Sequence, residues 1–356
     1  MDAIATIDQQ KLDVFVSRIL DDLGAVAIAP LVRVGDELGL YDALAQARRV
    51  TAQELARRTG TVERMVREWL NAHAAAGYLD YDAAADRFVM TDEQAMVFGN
   101  PESPVYMLGA FELSQASMLD QPKVTEAFRK SGGLGYHERC KCLFSGMSRF
   151  FAVSYKANLL QEWLPALDGV VDKLRSGAQV ADIGCGHGVS LMLMAQAFER
   201  STFRGFDYHA DSVDCARREA ELTGLASRVD FQVADAKTFA GGPYDFAACF
   251  DALHDMGDPV GAARHVLSQL APDGTFMVIE PRAGDRLEDN FNPVGRLYYA
   301  ASTMICTPVS LAQEVGLALG AQAGPKRLEQ VLREAGFSRV RLAVETPFNI
   351  VLEARP

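Results

Sequence analysis

Val180-Ala-Asp182-Ile-Gly184-Cys185-Gly186-His-Gly188 places three alternate glycines directly after a short apolar run. Without a β-carbon, glycine lets a loop turn sharply and bring its backbone close to a ligand. The spacing is G-x-G-x-G rather than the G-x-G-x-x-G of dinucleotide-binding loops, and Asp182 stands two positions before the first glycine. Asp207 closes the run Phe203–Asp207, 19 residues beyond Gly188. A carboxylate there accepts both hydroxyls of a ribose, in NAD enzymes as in other nucleoside binders. Val233-Ala-Asp235-Ala236 offers a side-chain oxygen to an adenine amino group. In Phe250-Asp251-Ala-Leu253-His254-Asp255 an imidazole stands next to a carboxylate. An imidazole with a pKa near ~6.5 accepts a proton at neutral pH, and the neighbouring Asp255 either orients it or raises that pKa.

These groups need a scaffold that gathers them. From Gly177 onward apolar runs with strand character alternate with helical stretches, as in a parallel sheet. The expected strands are Gln179–Ile183, Phe203–Asp207, Val229–Val233, Tyr244–Phe250 and Thr275–Glu280. Helices are expected over Val189–Phe198, Ala210–Thr223 and Pro259–Leu270. A helix Lys326–Ala335 and an antiparallel hairpin, Arg339–Glu345 with Asn349–Glu353, end the chain. All four chemical elements then fall at the carboxyl ends of consecutive strands, where open α/β sheets bind ligands.

The N-terminal part reads differently. Leu12, Phe15, Val16, Ile19, Leu20 and Leu23 share one helical face, expected to be buried, and a second helix is expected from Pro30 to about Leu44. Thr51-Ala-Gln-Glu54 is a capping box, Thr59-Gly60-Thr61 a turn, Val62 to Ala76 a longer helix and Leu79 to Met90 a hairpin wing. This is a winged helix-turn-helix. Across Tyr41 to Met90 basic and acidic side chains cancel, which favours a packing and dimerisation module over a DNA reader. The expected domains are residues 1–96, a connector or lid over 97–165 containing an apolar helix from Phe150 to Leu164, and 166–356.

The 356 residues suit two domains, and the net charge of -12 argues against a general electrostatic hold on nucleic acid. A leader with a basic then apolar stretch is not evident, so a cytoplasmic protein is expected. The six cysteines are scattered apart from Cys140-Lys-Cys142 and are expected to be reduced thiols. Histidine and cysteine spacing supports no metal site.

The motif set over residues 177–356 resembles class I S-adenosylmethionine-dependent methyltransferases, including the terminal antiparallel hairpin. The resemblance implies a doubly wound Rossmann-like α/β sheet and S-adenosyl-L-methionine as cofactor, with S-adenosyl-L-homocysteine as product. The implied cofactor-binding set is Asp182, Gly184, Cys185, Gly186, Gly188, Asp207, Tyr208, Asp235, Ala236, Phe250 and Asp251. With its winged helix, the chain resembles bacterial methyltransferases related to small-molecule O-methyltransferases. Runs 282–296 and 310–320 resemble that bacterial subgroup in particular. In the O-methyltransferases a Leu-His-Asp-Trp histidine is the general base. Here Leu253-His254-Asp255-Met256 keeps the histidine and lacks the tryptophan.

The expectation is therefore a homodimeric small-molecule O-methyltransferase without a metal, with His254 and Asp255 as catalytic residues. Phe150, Tyr155, Asn292, Arg296 and Tyr299 are expected to face the acceptor. The alternatives are methyl transfer to carbon or nitrogen, and a winged-helix regulator whose methyltransferase-like domain senses cofactor.

Overall fold

The structure, a computed structural model, describes residues 7–356. The chain divides into two compact units, the first ending at Gln115 and the second running Ala116–Pro356.

In the first unit α1 (Gln9–Glu37) is followed by α2 (Leu40–Ala47), β1 (Arg49–Val50), α3 (Ala52–Thr59) and α4 (Glu63–Ala75). Strands β2 (Asp80–Asp82) and β3 (Arg87–Val89) form the wing, followed by α5 (Asp92–Phe98). The three strands pair in the order β1-β3-β2. The expected cap is present, Thr51 and Glu54 closing a capping box on α3, and Thr91 and Gln94 close a second one on α5. The core is Val32, Leu40, Leu44, Leu55, Leu70 and Met90 around Tyr41 and Trp69.

Two expectations about the first helices are corrected. No new helix begins at Pro30; α1 runs through it and ends at Glu37. A single proline forfeits one backbone bond, whereas Gly39, in the left-handed region at φ 65°, supplies the actual break before α2. The apolar face of Leu12, Phe15, Val16, Ile19, Leu20 and Leu23 is not buried in this chain but exposed, Phe15 by 60% and Leu20 by 62%. Only the later part of α1, at Ile28, Val32 and Gly35, is buried.

Next come α6 (Leu108–Arg129), α7 (Cys142–Asn158) with a π turn Leu159–Trp163 after it, and α8 (Val170–Ser176). The expected helix at Phe150 thus begins earlier, at Cys142. The sheet region comprises β4 (Gln179–Ile183), α9 (Val189–Ala197), β5 (Thr202–Asp207), α10 (Ala210–Leu222), β6 (Val229–Val233), β7 (Tyr244–Phe250), α11 (Pro259–Gln269) and β8 (Leu270–Pro281). It ends with α12 (Pro293–Ala301), a π turn Ser302–Cys306, α13 (Thr307–Leu311), α14 (Pro325–Ala335), β9 (Arg339–Glu345) and β10 (Asn349–Arg355).

The seven strands lie in the order β6-β5-β4-β7-β8-β10-β9, parallel through β8, with β10 antiparallel to both of its neighbours. Apolar clusters cover the two faces, one around Trp163, Leu191 and Phe246 and the other around Phe206, Phe276 and Leu332. The order reverses between β4 and β7, which opens a crevice beyond their carboxyl ends. Among the described residues no helix is long and apolar enough to cross a membrane.

Cys140 and Cys142, expected as thiols, form a disulfide. Lys141 between them is in the right-handed helical region, which brings their Cα atoms to 5.4 Å, within bridging range.

Candidate cofactor cleft and active site

A cavity of about 360 Å³ opens beyond the carboxyl ends of β4, β5, β6 and β7. The glycine loop after β4 forms one side. Gly186 has φ 51°, a conformation that disfavours side chains, and its N–H donates to Asp207 Oδ2 at 2.9 Å. Gly188 serves packing instead: at φ 76°, a β-carbon there would lie 2.3 Å from Phe231 Cζ. Gly184, Cys185 and Gly186 line the cavity, whereas Gly188 does not.

Asp207, at the end of β5, also accepts from the His209 N–H at 2.8 Å. Burial raises its pKa above the usual carboxylate range despite these two amides. A carboxylate has about four acceptor positions, so two remain for hydroxyl donors. Tyr208 lines the same wall, and His209 stacks on Phe144 with ring centroids 4.2 Å apart. Asp235 and Ala236 line the far side, with Asp235 Oδ1 accepting from the Lys237 N–H at 2.7 Å.

Asp182 is fully buried behind the loop and does not reach the cavity, so the expected direct contact with cofactor is corrected. Its Oδ2 accepts from Ser190 Oγ at 2.6 Å, its Oδ1 has no hydrogen-bond partner, and burial pushes its pKa up to about 7. Its place is to fix the start of α9 beneath the loop.

Phe250 and Asp251 end β7 on the cavity wall. Asp251 accepts from Tyr155 Oη at 3.1 Å and Asn349 Nδ2 at 2.8 Å. Burial, reinforced by Glu280, pushes its pKa up to about 8.

Beyond them Asp255 lines the cavity, and Tyr136 Oη donates to its Oδ2 at 2.5 Å. His254 does not line the cavity; it lies immediately behind, 3% exposed. Its Nδ1 is 2.5 Å from Glu280 Oε2, and its Nε2 is 3.2 Å from Asp255 Oδ1. Glu280 Oε1 also accepts the N–H groups of Leu253 and His254, at 3.0 and 3.3 Å. Burial alone would lower the His254 pKa, but the carboxylates of Glu280 and Asp255 raise it well above the ordinary imidazole range.

Of the residues expected at the acceptor, Tyr155 lines the cavity and Phe150, Asn292, Arg296 and Tyr299 do not. Phe150 packs edge-on against Phe151. Asn292 caps α12 by accepting from the Gly295 N–H at 2.9 Å. That helix buries Gly295 and Tyr298, leaving Arg296 on its exposed side and Tyr299 half-buried away from the cavity.

Instead, Phe144, Met147, Phe151 and Tyr155 line the cavity from one face of α7, joined by Tyr136. Their 3, 4, 4 spacing is a helical stripe legible in the sequence once the helix is begun at Cys142. Gln313 and Glu314 close another part of the rim, Gln313 Nε2 donating to the Asp255 carbonyl at 2.9 Å. No local sequence signal marks those two.

Residues 174–336 match the family described as "Methyltransferase domain". The chain carries a methyltransferase domain. Residues 25–99 match the "Rv2258c-like winged HTH domain". The fold of the methyltransferase domain and its N-terminal partner recurs in an O-methyltransferase family protein from Burkholderia thailandensis, at 20% identity and TM-score 0.69, covering 96% of this chain and 98% of that one. Human N-acetylserotonin methyltransferase, solved with S-adenosylmethionine, gives TM-score 0.69 at 18% identity, covering 99% of each chain. The ubiquinone biosynthesis O-methyltransferase of Actinobacillus pleuropneumoniae serotype 7 (strain AP76) is 30% identical over 107 residues, 28% of this chain and 44% of that protein. The chain thus spans less than half the length of the curated relatives it matches.

Proposed function

We propose that the chain transfers the methyl group of S-adenosylmethionine to an oxygen of a small-molecule acceptor. One arrangement supports this most directly: the glycine loop and Asp207 share a single cavity with Asp255, behind which stand His254 and Glu280. The loop, Asp207 and Asp235 present backbone and carboxylate groups suited to an amino-acid-bearing nucleoside. Aromatic and methionine side chains of α7 line the rest of the cavity, which suits an apolar or planar acceptor. The solved human relative with S-adenosylmethionine supports the cofactor.

Methyl transfer is a direct displacement on the sulfonium carbon: the acceptor oxygen gains the methyl group, the S–CH3 bond breaks, and the hydroxyl proton must leave. Alignment and exclusion of water supply much of the acceleration. We assign proton removal to the Asp255 carboxylate on the cavity wall, with the charged His254 ring behind it at Nε2 and Glu280 fixing that ring. Replacing His254 by Gln or Asp255 by Asn is expected to lower turnover on hydroxylated acceptors by roughly 10²–10⁴-fold. Calorimetric affinity for S-adenosylhomocysteine should stay near the wild-type value. Near-wild-type turnover in both variants would favour a carbon or nitrogen acceptor that needs no such base.

We read the N-terminal unit as a homodimerisation module. The exposed apolar face of α1 supports this. On the longer helix α4, Arg64 pairs with Glu68 and Arg67 with Glu63, so its cations are already neutralised, which speaks against a DNA-reading surface.

A further inference from the structure

We infer that His254, Asp255 and Cys306 form a binding site for a divalent cation of the zinc class beside the acceptor cavity. An imidazole nitrogen, a carboxylate oxygen and a thiol sulfur, all buried, lie there within 4.8 Å of one another. They come from two elements: His254 and Asp255 from the short turn after β7, and Cys306 from the end of the π turn Ser302–Cys306. Such π turns are frequent at functional sites.

A second observation points to a missing partner. Asp255 is 6% exposed, and its Oδ1 accepts no hydrogen bond although it stands 3.2 Å from His254 Nε2. Both atoms lie within 4.8 Å of a ligand atom of Cys306 as well. A buried, unsatisfied carboxylate oxygen is costly, and a cation among these atoms would relieve it.

The surroundings match those of a bound metal. Glu280 holds His254 Nδ1 at 2.5 Å and is itself fixed by two backbone amides. Because a carboxylate only accepts, Nδ1 carries a proton, and a metal entering the cluster displaces the proton at Nε2 and takes its lone pair. A carboxylate on the far nitrogen of a ligating histidine is the recurrent second layer of such sites. Tyr136 holds the other oxygen of Asp255, leaving Oδ1 as the ligating atom. A mixed nitrogen, oxygen and sulfur set suits Zn²⁺ better than Mg²⁺ or Ca²⁺, which take oxygen ligands. With the cysteine as thiolate, the ion and its three ligands sum to zero charge, which suits a buried position.

Three protein ligands leave one place on a tetrahedral ion. Asp255 lines the cavity, so that place is available to water or to an acceptor hydroxyl or thiol, whose pKa the ion would lower. In the metal-bound form the ion would supply the acidity of a bound hydroxyl, and Asp255 would serve as its ligand rather than as the proton acceptor. Metal binding is measured without turnover, so this inference fails or stands separately from the proposed methyl transfer.

The chain, loaded with zinc and dialysed, is expected to retain about one zinc per chain by elemental analysis. Loaded instead with Co²⁺, it should show a thiolate-to-cobalt charge-transfer band that Cys306→Ala abolishes. The Cys140→Ser/Cys142→Ser double variant should keep both the metal and the band. Glu280→Gln should weaken zinc affinity by about 10–100-fold. S-adenosylhomocysteine binding to the same samples reports whether each variant is folded. Absence of retained zinc and of the band in a folded wild type overturns the site. So does a band that survives Cys306→Ala but is lost with Cys140 and Cys142.

Discussion

Asp207→Ala is the most informative single perturbation of the cofactor cleft. In the structure this carboxylate does two jobs. It ties the glycine loop to β5 through the Gly186 and His209 amides, at 2.9 and 2.8 Å, and it keeps free acceptor positions on the cavity wall. A hydrogen bond to a charged group contributes about 1.5–3 kcal/mol. Loss of two ribose contacts should therefore remove about 3–6 kcal/mol of binding free energy, at least a hundredfold in affinity at ~1.4 kcal/mol per factor of ten. The loop amides lose their acceptor as well, so the substitution should also lower the melting temperature modestly. Asp207→Asn retains one acceptor oxygen and should fall between the two. Calorimetry with S-adenosylhomocysteine, alongside a thermal melt, separates binding from stability. If Asp207→Ala binds within about threefold of wild type while remaining folded, the placement of the ribose at Asp207 is wrong.

Three other outcomes test the structure at separate points. Gly188→Ala forces a β-carbon to 2.3 Å from Phe231 Cζ at φ 76°, so thermal or denaturant unfolding should show a loss of at least about 2 kcal/mol; a neutral result would contradict the packing of the loop on β6. For Asp182 the folded pKa is raised from 3.8 to about 7, so its contribution is most favourable at low pH and is lost as pH rises through about 7. Asp182→Asn should accordingly flatten the fall in melting temperature between pH 4 and 8, each pKa unit being about 1.4 kcal/mol, whereas an unchanged slope would refute the assignment. On α1, replacing exposed Phe15 and Leu20 by Asp should convert a dimer to a monomer in sedimentation analysis; an unchanged mass would move any dimer surface elsewhere.

The division between what could and could not be read from the chain follows sequence distance. Strands β4, β6, β7 and β9 match the expected limits residue for residue, because apolar runs and turn residues declare themselves locally. The glycine loop, Asp207, Asp235 and Phe250 were legible for the same reason: a parallel sheet puts strand ends on one edge, so a position after a strand implies a place in the crevice. Local pattern was less reliable where burial depends on a partner. The α1 face reads as core by periodicity, yet nothing in a helical period says whether its own chain or another surface covers it.

Asp182 shows the same limit on a smaller scale. Its spacing to Gly184 marks the motif, but only the packing decides that its carboxylate lies beneath the loop rather than in the cavity. The tertiary structure alone also brings Tyr136, Glu280 and Cys306 to His254 and Asp255, from a connector, a central strand and a π turn. The sequence by itself determined the strands of the sheet and the glycine loop after β4, since each is a local consequence of side-chain period and glycine. It left undecided the cluster beside the acceptor, because contacts made by chain closure over 26 to 119 residues leave no local trace.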